Sequence, residues 1–381
     1  MTIQLKNPNF VLSGVFKHHQ FNKIHVSQFL AKMVNLKSCS FFDEQRALLT
    51  TDSPFANLGV KVMTYSALKV AIINSAIVSD DENVFQSSLT ELKVIDKNLN
   101  PEYVIQTCPN LKKLTIDWQE EWSQPPFHKF SKLWFKKLLR NPDWRQIVSG
   151  LESLEIVFPA FYSEGGYSLP WDDLNLLCRS IRNMKKLKLT GMINYEHASI
   201  FDFLCYGNNL EELIFDNCSV LFPHPEGIPN FPPLEKLKKL HVINKNSCFC
   251  NSPHVTTCIA KMMPNLEELV LRPEQNQIGL TLNAIKELSK MKYLKRLEVA
   301  ASTEDCINNM PSFIYVLREF AALRYLTLSW GSNPPEVQAS RTYRMFEWLE
   351  NALKADNANI HVQICHELHS NIISNPPSLS G

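Results

Sequence analysis

Residues 210–218 read Leu210-Glu-Glu-Leu213-Ile-Phe215-Asp-Asn-Cys218, with apolar side chains at the first, fourth, sixth and ninth places. Apolar residues two apart in the second half of such a phrase mark a short strand with one buried face. The six-residue core of the phrase, apolar-x-x-apolar-x-apolar, recurs along the chain. It stands at Leu89-Thr-Glu-Leu92-Lys-Val94, Leu111-Lys-Lys-Leu114-Thr-Ile116, Leu151-Glu-Ser-Leu154-Glu-Ile156 and Met184-Lys-Lys-Leu187-Lys-Leu189. It returns at Leu237-Lys-Lys-Leu240-His-Val242, Leu266-Glu-Glu-Leu269-Val-Leu271, Leu294-Lys-Arg-Leu297-Glu-Val299 and Leu323-Arg-Tyr-Leu326-Thr-Leu328. From Met184 onward the first positions fall at 184, 210, 237, 266, 294 and 323, in steps of 26, 27, 29, 28 and 29 residues. That regularity is the signature of a structural repeat. Weaker copies extend it at Leu36-Lys-Ser-Cys39-Ser-Phe41, Leu68-Lys-Val-Ala71-Ile-Ile73 and Ile360-His-Val362-Gln-Ile364, for eleven or twelve repeats over residues 25–365.

Between phrases the apolar spacing changes to three and four, as in Ile200, Phe203, Leu204, in Ile285, Leu288, Met291, and in Phe313, Val316, Leu317, Phe320. These are helices with one apolar stripe. Asn100-Pro101 and Ser252-Pro253 are read as helix entrances, a capping side chain followed by a pre-set φ. A strand-helix unit of this size cannot bury its own stripe, so the units must stack. The expected fold is an α/β solenoid, a curved horseshoe with parallel strands on the concave face and helices on the convex face. Residues 1–24 are expected to cap its first repeat, a helix over 341–355 with Met345, Trp348, Leu349 and Ala352 as its stripe to cap the last, and 366–381 to be a disordered polar tail.

Composition narrows the function. Lys+Arg number 39 against 38 Asp+Glu in 381 residues, a net charge of +1, which argues against a nucleic-acid or anionic-membrane binder. Only 11 glycines are present, and GxGxxG, GxxxxGK[ST] and GxSxG are all missing, so nucleotide-cradling loops and a nucleophile elbow are not expected. The first twenty residues lack a signal peptide's apolar run, and no window approaches a membrane span. Ten scattered cysteines suit reduced thiols rather than a disulfide scaffold. These readings point to a cytoplasmic or nuclear protein without a cofactor.

The phrase Leu210-x-x-Leu213-x-Phe215-x-x-Cys218 resembles the LxxLxLxxN/C signature of leucine-rich repeats, over roughly residues 30–365. Its length and cysteine tolerance resemble the intracellular ribonuclease-inhibitor-like class, and the secreted class's NxLxxLPxxxF continuation does not occur. The cadences CPNLKKL (108–114), MPNLEEL (263–269) and GNNLEEL (207–213) are similar to those in substrate-receptor arrays of F-box proteins. That resemblance implies binding of a protein target. It implies contact with the subunits of an SCF-type ubiquitin ligase only if an F-box lies upstream, since the first repeat is reached by about residue 25–41. An F-box has been lost, lies upstream in a longer product, or is not used; a stand-alone scaffold or adaptor is the alternative.

In such a phrase the third, fifth and seventh positions leave the core. Across the nine clear copies they carry Lys93, Lys113, Lys186, Lys188, Lys239, Arg272 and Arg296 against Glu91, Asp117, Glu155, Glu212, Asp216, Glu268 and Glu298. Mixed signs suit specific protein contact better than a polyanion groove, although alternating charges also serve solubility and register. The partner-binding candidates are Lys186, Lys188, Glu212, Asp216, Lys239, His241, Arg272, Arg296, Glu298, Tyr325 and Trp330. A second candidate is the enlarged repeat at 111–150, which holds Trp118, Trp122, Trp134 and Trp144 and an amphipathic helix over 129–140. It reads either as a docking element or as the wider core of its own repeat.

Two clusters are weighed as chemistry. Cys248, Cys250, His254 and Cys258 offer a Cys3His zinc set at non-standard spacing, or four ordinary thiol and imidazole positions. Cys365-His366-Glu367-Leu368-His369 is HExH, not HExxH, and supplies no further ligand. No catalytic residue is assigned.

Overall fold

The computed structural model describes residues 11–16, 38–43, 62–66, 90–95, 111–117, 140, 148–158, 171–192, 206–218, 233–244, 253–272, 279–300, 306, 309–329, 347–349, 351–353 and 360–365. The chain divides into two compact units, Met1–Val220 and Leu221–Gly381. The first holds β1 (Val11–Phe16), β2 (Ser38–Asp43), β3 (Val62–Ser66), β4 (Glu91–Ile95), β5 (Lys113–Asp117), β6 (Ser153–Val157), helix α1 (Trp171–Ser180), β7 (Lys186–Thr190) and β8 (Glu212–Cys218). The second holds β9 (Lys239–Asn244), α2 (Pro253–Met262), β10 (Glu268–Arg272), α3 (Leu282–Ser289), β11 (Arg296–Ala300), α4 (Met310–Arg318), β12 (Tyr325–Ser329) and β13 (His361–Cys365). Within each unit every strand pairs in parallel with the next in sequence, an α/β arrangement consistent with a solenoid.

The pairing joins the fourth residue of each phrase to that of the next. In the first unit the line runs Leu12, Cys39, Met63, Leu92, Leu114, Leu154, Leu187, Leu213. In the second it runs Leu240, Leu269, Leu297, Leu326, Val362. A parallel ladder between identical phrases brings like residues into layers. Leu151, Met184 and Leu210, then Leu154, Leu187 and Leu213, then Ile156, Leu189 and Phe215 are all buried. The second unit repeats the layers with Leu237, Leu266 and Leu294, with Leu240, Leu269 and Leu297, and with Val242, Leu271 and Val299.

Backbone hydrogen bonds at the strand entrances fix this register. The carbonyl of each phrase's second residue accepts two N–H groups from the next repeat. Lys185 O takes Glu211 N at 2.7 Å and Glu212 N at 2.9 Å; Lys238 O takes Glu267 N at 2.8 Å and Glu268 N at 2.9 Å; Lys295 O takes Arg324 N at 2.8 Å and Tyr325 N at 3.0 Å. Just upstream, the first residue of the phrase closes a turn on the third residue before it, as in Met184 N to Ile181 O at 2.9 Å and Leu210 N to Gly207 O at 2.9 Å.

The asparagine before the phrase, which the MPNLEEL and GNNLEEL cadences share with Arg182-Asn183-Met184, has a place in this frame. Asn183, Asn209 and Asn265 each stand directly before a phrase, and each Nδ2 donates to a carbonyl of the preceding turn: Ser149 O at 3.2 Å, Arg182 O at 2.9 Å and Glu235 O at 2.9 Å. At the other end of the strands Gly191 has φ +74°, and a Cβ there would meet Phe158 O at 2.9 Å. Cys218, in the ninth place, is buried and donates its S–H to Leu189 O at 3.2 Å.

Two of the three stripes predicted between phrases fall on described helices; Ile200, Phe203 and Leu204, like the Asn100-Pro101 entrance, lie outside the described residues. Ile285 and Leu288 of α3 and Phe313, Val316 and Leu317 of α4 are buried, as are Met291 and Phe320 just beyond. Thr281 caps α3 through a hydrogen bond from Ala284 N, 3.2 Å, and α3 packs on both α2 and α4. The Ser252-Pro253 entrance fits, since α2 starts at Pro253.

Three stretches differ in detail from the sequence reading. The expected strand at Leu68–Ile73 lies outside the described residues; the strand pairing with β2 and β4 is Val62–Ser66, whose phrase is Val60-Lys-Val-Met63-Thr-Tyr65. The stretch read as a capping segment contains β1, whose Leu12 sits opposite Cys39. Near the C-terminus Leu349 and Leu353 are buried, but Trp348 is 49% exposed and does not belong to the buried stripe.

Leu269→Ala, in the middle of a buried layer, is expected to destabilise the protein by about 2–5 kcal/mol. Asn265→Ala, which removes one inter-repeat hydrogen bond, is expected to cost about 1 kcal/mol. Urea unfolding followed by far-UV circular dichroism measures both.

Candidate functional site

The side chains on the sheet face opposite the leucine layers sit where the phrase puts them. In the strands whose side chains are described the third and fifth residues point away from the leucine layers, and parallel pairing stacks third on third and fifth on fifth. The result is rows of charges running across the strands. In the first unit Lys113 Nζ reaches Glu91 at 3.2 Å, Lys186 reaches Glu212 at 2.6 Å and Lys188 reaches Glu155 at 2.7 Å. Asp216 lies on the same face of β8, in register with Thr190, and its carbonyl accepts Gly191 N at 2.8 Å.

The second unit has one connected network. Glu268 Oε1 lies 2.9 Å from His241 Nε2 and 3.1 Å from Arg296 Nη1, while its Oε2 lies 3.3 Å from Lys239 Nζ. Arg296 also reaches Glu298 at 3.3 Å, and Arg272 pairs with the other oxygen of Glu298. Burial alone would raise the Glu268 carboxyl above its ordinary value. The hydrogen bond to His241 and the positive charges of His241, Lys239 and Arg296 override that and hold it at about 2.

Of the sequence candidates, the structure therefore brings together Lys239, His241, Arg272, Arg296 and Glu298 in one network, joined by Glu268, and Lys186 with Glu212. Lys188 pairs with Glu155 instead. Glu298, expected on an open face, is only 4% exposed, and its neighbours in register, Val270 and Thr327, are buried as well. Its carboxylate is committed to two arginines. Tyr325 is 39% exposed and makes an edge-on ring contact with His361, centroids 6.2 Å apart. Trp330, Trp118, Trp122, Trp134, Trp144 and, apart from the helical Arg140, the 129–140 helix lie outside the described residues.

A second charged row escaped the sequence reading. From Lys112 to Lys295 the second position of successive phrases also alternates in sign. Glu152 is held by Lys112 at 2.8 Å and Lys185 at 3.0 Å, and Glu267 by Lys295 at 2.6 Å and, more distantly, Lys238 at 3.8 Å. Hydrogen bonds from Lys112 and Lys185 hold the Glu152 carboxyl at about 2, and the Lys185 amine is raised in return. The signal was readable as the KK, ES, KK, EE alternation inside successive phrases.

Thiols and metal ligands give little chemistry. Cys178, Cys218, Cys258 and Cys306 are not in disulfides, and burial pushes the Cys218 thiol up to about 12. Cys258, partly exposed on α2, is also raised, chiefly by burial and against the pull of Lys261. His254 and Cys258 stand one helical turn apart on α2, while Cys248 and Cys250 lie outside the described residues, as do residues 366–369. Among the described residues no group of three or more His, Cys, Asp and Glu side chains is arranged to hold a metal ion, and no helix is long and apolar enough to cross a membrane. Compared with protein-family models and with curated proteins, the chain matches none.

The depressed Glu268 value has a definite sign. Its stabilising effect is complete above the unfolded carboxyl value of 4.5 and is lost as pH falls toward about 2. Glu268→Gln should be less stable than wild type at neutral pH, and the difference should shrink as pH is lowered through that window in thermal melts. Native protein treated with a maleimide at neutral pH should be modified at Cys258 well before Cys218, as peptide mass spectrometry would show.

Proposed function

We propose that this chain is a non-catalytic protein-recognition module, a leucine-rich repeat array of the intracellular, ribonuclease-inhibitor-like type, acting in the cytoplasm or nucleus. One observation carries the reading. The repeated phrase spends its apolar positions on buried layers and leaves a broad strand face of polar and charged side chains that no covering strand pairs with among the described residues. Such a surface is built for contact with another macromolecule rather than for transforming a small one. The near-zero net charge and the interleaved signs favour a protein over a nucleic acid.

The phrase resemblance extends the proposal to substrate reception for an SCF-type ubiquitin ligase, through an F-box carried upstream. The stand-alone scaffold is the other form of the same reading. Specific support for the ligase form is the PNL cadence alone, and the inter-repeat hydrogen bonds of Asn209 and Asn265 give that cadence a structural reason of its own. The stand-alone form therefore needs no further assumption.

Affinity purification of the chain from its own cells, beside a version extended by any in-frame upstream sequence, separates the two. Linker and cullin subunits recovered only with the extended form establish the ligase role. A single stoichiometric protein recovered with both establishes the stand-alone module. Reversing Lys186, Lys188, Glu212 and Asp216 together is expected to weaken binding of the recovered partner about tenfold or more while leaving the melting temperature within a few degrees of wild type. Unaltered affinity would remove the first unit's strand face from the binding surface.

A further inference from the structure

We draw no further inference here: the strongest candidate, the exposed surface patch of Tyr325 and His361 on β12 and β13, whose rings meet edge-on with centroids 6.2 Å apart, carries none because nothing in the structure shows what covers it.

Discussion

One carbonyl per repeat sets the geometry of this protein. The second residue of the phrase offers its C=O to two successive N–H groups of the next phrase, from Thr90 O to Lys185 O in the first unit and from Lys238 O to Lys295 O in the second. Two donors on one acceptor leave no freedom to slide. A slip by a single residue would carry every leucine from the buried layer to the opposite face, because side chains alternate along a strand. The uniform phrase and the shared carbonyl therefore enforce each other, with apolar burial choosing the face and the paired N–H groups choosing the register.

The charges follow from that register rather than causing it. Once like positions stack, a lysine in one phrase lies beside whatever the next phrase has there, and alternating KK with EE turns the stack into ion pairs at both the second and third positions. Exposed pairs of this kind contribute roughly 0.2–1 kcal/mol each, well below the cost of emptying one leucine site. On the proposed recognition reading, their greater effect is on what the face can contact. A charge already held by its neighbour at 2.6 Å, as Lys186 is by Glu212, must be released before it can serve a partner. Where one carboxylate is shared by His241, Lys239 and Arg296, the release is harder still.

How far the sequence could be read depended on which property each residue contributes. The nine clear phrases all placed their strands correctly, because burial at positions one, four and six is a property of the residues themselves. β1 was invisible: Asn9 and Gly14 occupy the places where the phrase asks for apolar side chains, and only pairing with β2 reveals it. At β3 the paired strand carries the phrase Val60-Lys-Val-Met63-Thr-Tyr65, a few residues before the more aliphatic stretch that reads as the repeat in sequence and lies outside the described residues. Trp348 shows the opposite error, since a bulky apolar residue at near-helical spacing was assigned to a stripe that Leu349 and Leu353 complete without it.

The candidate site was legible only as a list of positions. That Lys186 stands beside Glu212, or Lys239 beside Glu268, can be deduced by laying one phrase under the next, and the second-position row could have been found in the same way. Burial of Glu298 could not. It depends on how closely Val270 and Thr327 flank it and on two arginines that reach it from the third and seventh positions of its own and the neighbouring strand. Fifth-position residues in the first unit, such as Glu155 and Lys188, remain partly exposed with the same phrase and the same pairing. Specificity in a repeat array of this kind is therefore decided by how neighbouring side chains share charge and space, which is a property of adjacent phrases taken together and of no single one.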